Sequence, residues 1–250
     1  MSGDRATFLG DQLAAVVQAI AQVADSLGQP PVVVGGLAVL ARLSTPHRAT
    51  VDLDVVDRML GPIPHLEVLR AVEGATAEEP AAVLLPTPLG MVKVDVLQVR
   101  QVELDHPSDD PGDRLHASAH AWAYDTATPM TLEVIGTATA DVAVTTPVAE
   151  PGPLIAMKLQ AVMNRAADKQ GTDLLDIVRI TLDPKTRTVA LSQIAAVDEA
   201  IARDMAVHVD FWLRRHQARS LQWITKAGAE VTTDDLDLVA ELLEHTLTRH

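Results

Sequence analysis

Two aspartates one residue apart, in "TVDLDVV" (50–56), are the residues of this chain whose types and spacing most directly suggest chemistry. The alternation of Val51, Leu53 and Val55 against Thr50, Asp52 and Asp54 is the period-2 pattern of a strand. On a strand, Asp52 and Asp54 project to one face about 6–7 Å apart. Ionised carboxylates so placed raise each other's pKa and oppose folding unless a cation lies between them. Magnesium suits the role because its preferred ligands are hard oxygens. Upstream, "PVVV" runs into Gly35 and Gly36, where the backbone can approach a phosphate closely and the next helix begins with free N–H groups. His47 and Arg48 precede the carboxylates, and a guanidinium there can hold phosphate oxygens in a fork. Asp95, in "VKVDVLQV", is a candidate third carboxylate from a neighbouring strand, with an ordinary strand acid as the alternative. D-x-D by itself also occurs on plain surface strands, and Gly-Gly often marks a plain turn. The specific signal is the order strand, Gly-Gly, short helix, R-x-T-x-D-x-D. Such a set suits metal-assisted phosphoryl or nucleotidyl transfer.

The elements that must position these residues are legible in outline. Leu9, Leu13, Val16, Ile20, Val23 and Leu27 recur at helical spacing, which predicts a helix over 8–27 stopped by Gly28 and Pro30. A short buried strand (31–34), a short helix (36–43), the carboxylate strand (50–56) and a helix near 63–73 follow. Strands are expected at 81–86, 91–99, 131–135 and 141–146. "VAEPGPLI" (148–155) breaks the composition, and the remainder reads as helical, including 153–167 and 172–181. The expected fold class is α+β: a mixed twisted sheet flanked by helices over 1–150, then a helical bundle over 151–250 that completes the site.

The 250 residues carry a formal net charge of −14, with 48% hydrophobic, 22% charged and 2% aromatic residues. The core must therefore come from Ala, Val, Leu and Ile. Such a charge repels nucleic acid as a whole and argues against a plain DNA-binding protein, though not against an enzyme touching RNA at one point. No apolar run is long enough to span a bilayer, and the N-terminus lacks a compact apolar core and a small-residue cleavage site. The chain has no cysteine, so disulfides and thiolate zinc sites are excluded. A cytoplasmic location is the expectation.

"GGLAVLARLSTPHRATVDLDVV" resembles the first motif of nucleotidyltransferases of the DNA polymerase β-like superfamily. The Gly-Gly form with R-x-T-x-D-x-D is similar in particular to the AbiEii/AbiGii-type (MenT-like) nucleotidyltransferase toxins. "VAEPGPLIAMKLQAVMNRAADKQGTDLLDIVRI" (148–180) resembles that family's downstream block, with a lysine followed by Arg, Lys and D-x-x-D. The two blocks cover about a quarter of the chain. The resemblance implies Gly35 and Gly36 for the triphosphate turn, and Asp52 and Asp54 as catalytic magnesium ligands; Arg48 and Thr50, from the same motif, are the further nucleotide-binding candidates. It also implies Lys158 as the active-site lysine on the nucleotide phosphates and Asp173 as its acidic companion. Gln170 and Gly171 depart from the family block, where an acid directly follows the lysine, so the register of Asp173 stays open by about a residue. Asp176 reads as a helix-surface acid or a partner for Arg179.

The resemblance implies a magnesium-dependent enzyme, with two ions and manganese as an alternative, that moves a nucleotide from a nucleoside triphosphate and releases pyrophosphate. The implied acceptor is RNA such as the tRNA 3′ end, and the implied context is a toxin with a cognate antitoxin protein. Small-molecule (aminoglycoside-like) transfer, AMPylation of a protein side chain, and an inactive binding module are alternatives. In "FWLRRHQARSLQWITK" (211–226), Arg215, Arg219 and Lys226 fall on one helical face, with Trp212 and Trp223 nearby to stack on a base. Tryptophans at helical spacing are more commonly core.

Overall fold

In the computed structural model, which describes residues 4–165 and 167–248, the chain alternates strands and helices up to residue 150 and is helical beyond it. The first part contains β1 (Asp4–Leu9), α1 (Asp11–Leu27), β2 (Val32–Val34), α2 (Gly35–Arg42), β3 (Asp52–Asp57) and α3 (His65–Arg70). It continues with β4 (Thr76–Ala77), β5 (Ala82–Thr87), β6 (Gly90–Gln98), α4 (Gln101–Asp105), α5 (Pro111–Thr126), β7 (Thr128–Ile135) and β8 (Val142–Val148). Then come α6 (Pro151–Asn164), α7 (Ala167–Leu182), α8 (Arg187–Ile194), α9 (Glu199–Val209), a π-helical turn (Asp210–Arg215), α10 (Gln217–Lys226) and α11 (Thr233–Leu247). Two compact units emerge. One comprises Met1–Gln101 with Ala123–Glu150, and the other Val102–Trp122 with Pro151–His250. The expected mixed sheet flanked by helices, followed by a helical part, is what the chain forms. Among the described residues no helix is long and apolar enough to cross a membrane.

The sheet of the first unit has the order β1-β7-β8-β2-β3-β6-β5-β4. Its centre is β2, three valines buried between β8, to which it runs parallel, and β3, to which it runs antiparallel. Burial on both sides explains the unbroken β-branched run. β6 lies parallel to β3 and antiparallel to β5. Val16, Val17, Ile20 and Val23 of α1 are buried, and the helix packs across β3, β5, β6, β7 and β8. Gly28, at φ +70°, ends it in the left-handed conformation. At the end of α2, the buried Arg42 donates to the carbonyls of Val148 (2.6 Å) and Ala149 (3.0 Å) and pairs with Glu150 (2.9 Å). That clamp fixes the far end of the helix whose first residues are the glycines.

The N-terminal helix starts later than its apolar spacing suggests, at Asp11. Residues 4–9 form β1 instead, paired in parallel with β7 and extended by a bond from the Gly10 amide to the Ile135 carbonyl. Gly10, at φ +109°, breaks the chain direction between strand and helix. Asp11 accepts bonds from the amides of Thr137, Ala138 and Thr139 and the hydroxyls of Thr137 and Thr139. The Thr137 hydroxyl foremost, with the Ala138 amide, holds its carboxyl well below the usual carboxylate range. Leu9, which the helical pattern had claimed, is 75% exposed.

In the second unit every residue of α6 from Pro151 to Gln160 is buried. Trp212 and Trp223 are buried as well, with ring centroids 5.7 Å apart, and the Arg219 guanidinium lies 4.4 Å from the Trp223 ring. Arg215 pairs with Asp210 at 2.6 Å. Of the two readings of these tryptophans, core is the one the fold bears out: both rings are buried and pack against each other.

Candidate active site

The D-x-D and the glycine turn meet because β2 and β3 are antiparallel. The end of β2 and the start of β3 then share one edge of the sheet, and Val34 stands opposite Asp54. Since α2 begins directly after β2, its first residues lie against the Asp54 side chain. The Gly36 amide donates to Asp54 Oδ2 at 3.4 Å. Gly35 adopts φ +63°, and a β-carbon there would overlap the Asp54 carboxylate. This position therefore requires glycine twice over, for its backbone conformation and for the close approach. The positive end of α2 is engaged first by the chain's own carboxylate.

Arg48 and Thr50 complete the turn. A β-carbon on Gly36 would lie 2.7 Å from Arg48 Nη2 and 3.1 Å from Thr50 Oγ1, so both side chains lie directly over Gly36. Arg48 also donates to the Ala49 carbonyl (3.1 Å), and Thr50 to the Asp52 carbonyl (3.3 Å). The two glycines differ in what they tolerate. Gly35→Ala is expected to cost about 1–3 kcal/mol, from the left-handed backbone and the displaced carboxylate. Gly36→Ala is expected to cost less, about 1 kcal/mol or below, because its backbone is unstrained and only the side-chain ends of Arg48 and Thr50 must shift. Thermal melts of the two variants check this contrast.

On the other side of β3, the parallel register sets Asp54 beside Asp95 and Asp52 beside Lys93. The sheet face thus carries Asp52, Asp54, Asp95 and a lysine that the sequence reading left out. Lys93 Nζ lies 3.2 Å from Asp95 and 3.2 Å from Glu79. Burial, and then the neighbouring Asp54, push the Asp95 carboxyl up, while Lys93 pulls it back. Burial pulls the Lys93 ammonium down, but its bonds to Asp95 and Glu79 outweigh that and raise it. The signal for Lys93 was present in "VKVDV", where it stands two residues from Asp95 and so on the same face. Among the described residues no group of three or more His, Asp or Glu side chains is gathered closely enough to hold a metal by itself. Magnesium does not ask for one. It commonly takes one or two carboxylates and completes its shell with water and substrate phosphates. Asp52 and Asp54 fit that donor set, and Asp95 stands beside them already paired with Lys93.

The second unit holds Lys158 and Asp173. Lys158 Nζ lies 2.5 Å from Asp173 and 2.9 Å from Asp176, and Arg165 Nε lies 3.3 Å from Asp173. All three members of the Lys158 cluster are buried, with Asp176 at 0% exposure. Asp176 is thus neither a surface acid nor a partner for Arg179, which is exposed. It shares the buried face of α7 with Asp173, Ile177 and Ile180, at spacings of three and four. The two residues that depart from the family block also acquire reasons. A β-carbon at Gly171 would overlap the Trp223 carbonyl, so glycine lets α7 and α10 touch. The Gln170 side chain donates to the Val162 carbonyl at 2.9 Å, near the end of α6.

Also in this unit, His120 hydrogen-bonds through Nδ1 to the His116 carbonyl (2.6 Å), and the two rings lie 4.2 Å apart. Burial, and then His116, push the His120 imidazole down to about 3. It is neutral in the folded chain and protonates near 6.5 when unfolded, so its contribution is complete above that pH and is lost as pH falls toward 3. Unfolding free energies from urea titrations at pH 7 to 5 should drop by up to about 1.4 kcal/mol per pH unit, with a shallower slope in His120→Leu.

No protein-family model and no curated protein matches the chain. Among solved structures it is similar to an antigenic nucleotidyltransferase-like protein from Paracoccidioides brasiliensis, over 78% of this chain and 92% of that one. Identity is 20% and the TM-score 0.37, a level of likeness that carries no functional argument.

Proposed function

We propose that this protein is a magnesium-dependent nucleotidyltransferase that moves a nucleoside monophosphate from a nucleoside triphosphate to a hydroxyl acceptor. The observation that carries the reading is the seating of Asp54 on the Gly35–Gly36 turn, with Arg48 and Thr50 over Gly36 and Asp52 and Asp95 alongside. Nothing in folding alone asks for three carboxylates on one patch of sheet, where burial and the neighbouring Asp54 push the Asp95 carboxyl up.

Asp52 and Asp54 are the residues that would hold the metal. Bound there, magnesium would favour ionisation of the acceptor hydroxyl and neutralise charge on the phosphates. Arg48, fixed across Gly36, offers a planar fork to phosphate oxygens. The Gly36 amide, by donating to Asp54, helps to hold that carboxylate at the turn. In the transfer, the acceptor oxygen attacks the α-phosphorus, its proton is released, and the bond to the bridging oxygen breaks to give pyrophosphate. Lys93 holds Asp95 and keeps the charge of the patch in balance before a nucleotide arrives.

The finer part of the proposal rests on the resemblance of the two motif blocks. It comprises an RNA acceptor such as the tRNA 3′ end, a toxin paired with an antitoxin protein, and Lys158 with Asp173 as part of the active machinery. Purified protein, magnesium, each labelled triphosphate and total RNA test it together. Label in tRNA is the expected result. Label in an added aminoglycoside or protein would assign a different acceptor, and no transfer from any triphosphate, with magnesium or manganese, would overturn the reading.

A further inference from the structure

The first unit also contains a groove of about 540 Å³ that runs away from the glycine turn. One wall is the end of β1 and the start of α1, from Thr7 to Leu13, and the other is the loop carrying Pro46 and Ala49. Arg48 and Thr50 line it too, and these are the side chains that lie over Gly36. Leu40, one helical turn beyond Gly36 on the same face of α2, forms part of its floor. The groove and the phosphate-facing turn are therefore continuous through Arg48.

Resting on the nucleotidyltransferase reading, we propose that this groove holds a nucleoside, whether of the triphosphate or of the terminal nucleotide of the acceptor. Its volume lies within the 300–1,000 Å³ typical of small-molecule sites. Leu9, Leu13 and Pro46 offer apolar surface to a flat ring, and Leu9, the last residue of the edge strand β1, is 75% exposed beside the groove. Gln12, Thr7 and Thr50 supply donors and acceptors for the ring edge and the ribose. A polycationic acceptor does not fit. The only carboxylate on the lining is Asp11, and its oxygens already accept bonds from Thr137, Ala138 and Thr139.

Ala49 is exposed, so Ala49→Trp fills the groove without entering the core. Calorimetry would compare wild type and Ala49→Trp against magnesium pyrophosphate, each magnesium nucleoside triphosphate, and a short RNA with a free 3′ hydroxyl. Pyrophosphate reports on the turn alone. The expected result is that a triphosphate binds at least tenfold more tightly than pyrophosphate, and that Ala49→Trp abolishes this margin with pyrophosphate binding unchanged. A tenfold loss of RNA affinity with triphosphate binding unchanged would support the acceptor's nucleoside as occupant. If wild type binds pyrophosphate and Ala49→Trp alters neither triphosphate nor RNA affinity beyond twofold, the groove inference falls and the turn stands. If wild type binds neither pyrophosphate nor any triphosphate, the enzymatic reading fails and takes this one with it.

Discussion

Asp52→Asn and Asp54→Asn are each expected to lower nucleotidyl transfer at least about 10³-fold while the protein stays folded. On the proposed reading the functional loss is large because each variant removes one of the two carboxylates that would hold the metal, and an amide does not replace a carboxylate there. The structural effect is small because both side chains are only half-buried. Asn at 54 can still accept the bond from the Gly36 amide, and its volume still suits the space beside Gly35. Relief of repulsion toward Asp95 offsets the lost interaction, so stability should change by less than about 1 kcal/mol. Turnover with labelled triphosphate, alongside thermal melts, separates the two effects. Transfer that persists in the double variant would remove these residues from the chemistry.

The second large effect concerns stability. Lys158→Met is expected to destabilise the chain by about 3–5 kcal/mol, because Asp173 and Asp176 are then left buried with one cation lost from between them. Arg165 compensates only in part, since it reaches Asp173 alone and its side chain is 36% exposed. Against a typical total of about 5–15 kcal/mol, that loss would leave much of the protein near its unfolding threshold. Replacing the whole cluster behaves differently. Lys158→Met with Asp173→Asn and Asp176→Asn removes the buried charges together and should recover most of the loss. Urea denaturation of the single and triple variants reads the difference directly. A single variant as stable as wild type would mean that the cluster is not buried as described.

What was legible in the sequence followed from periodicity and turn chemistry. The β2–α2–β3 succession, the strands β5 and β6, and the long helices α6 and α7 lie where alternation, Gly and Pro place them. The N-terminus went wrong for an identifiable reason. Leu9 fits the helical spacing of Leu13 and Val16, but Gly10 turns the chain and β1 gains pairing with β7, a long-range contact that local pattern does not encode. α4 and α5 left no expectation at all, and "PGDRLHASAHAWAYDT" has only a weak apolar stripe.

By itself the sequence determined which residues were candidates and their order: glycines, Arg48, Thr50, then Asp52 and Asp54 on one strand face, with Asp95 as a candidate third carboxylate. It could do so because spacing along a strand or turn dictates direction within a few residues. Only the tertiary structure decided what each side chain meets. Antiparallel pairing of β2 with β3 makes Gly35 the seat of Asp54, and the parallel register of β3 with β6 sets Asp95 beside Asp54 and adds Lys93. Packing of α6 on α7 turns Asp176 from an apparent surface acid into a buried partner of Lys158. These outcomes depend on register and on which helix face is covered, quantities set by contacts between segments far apart in the chain.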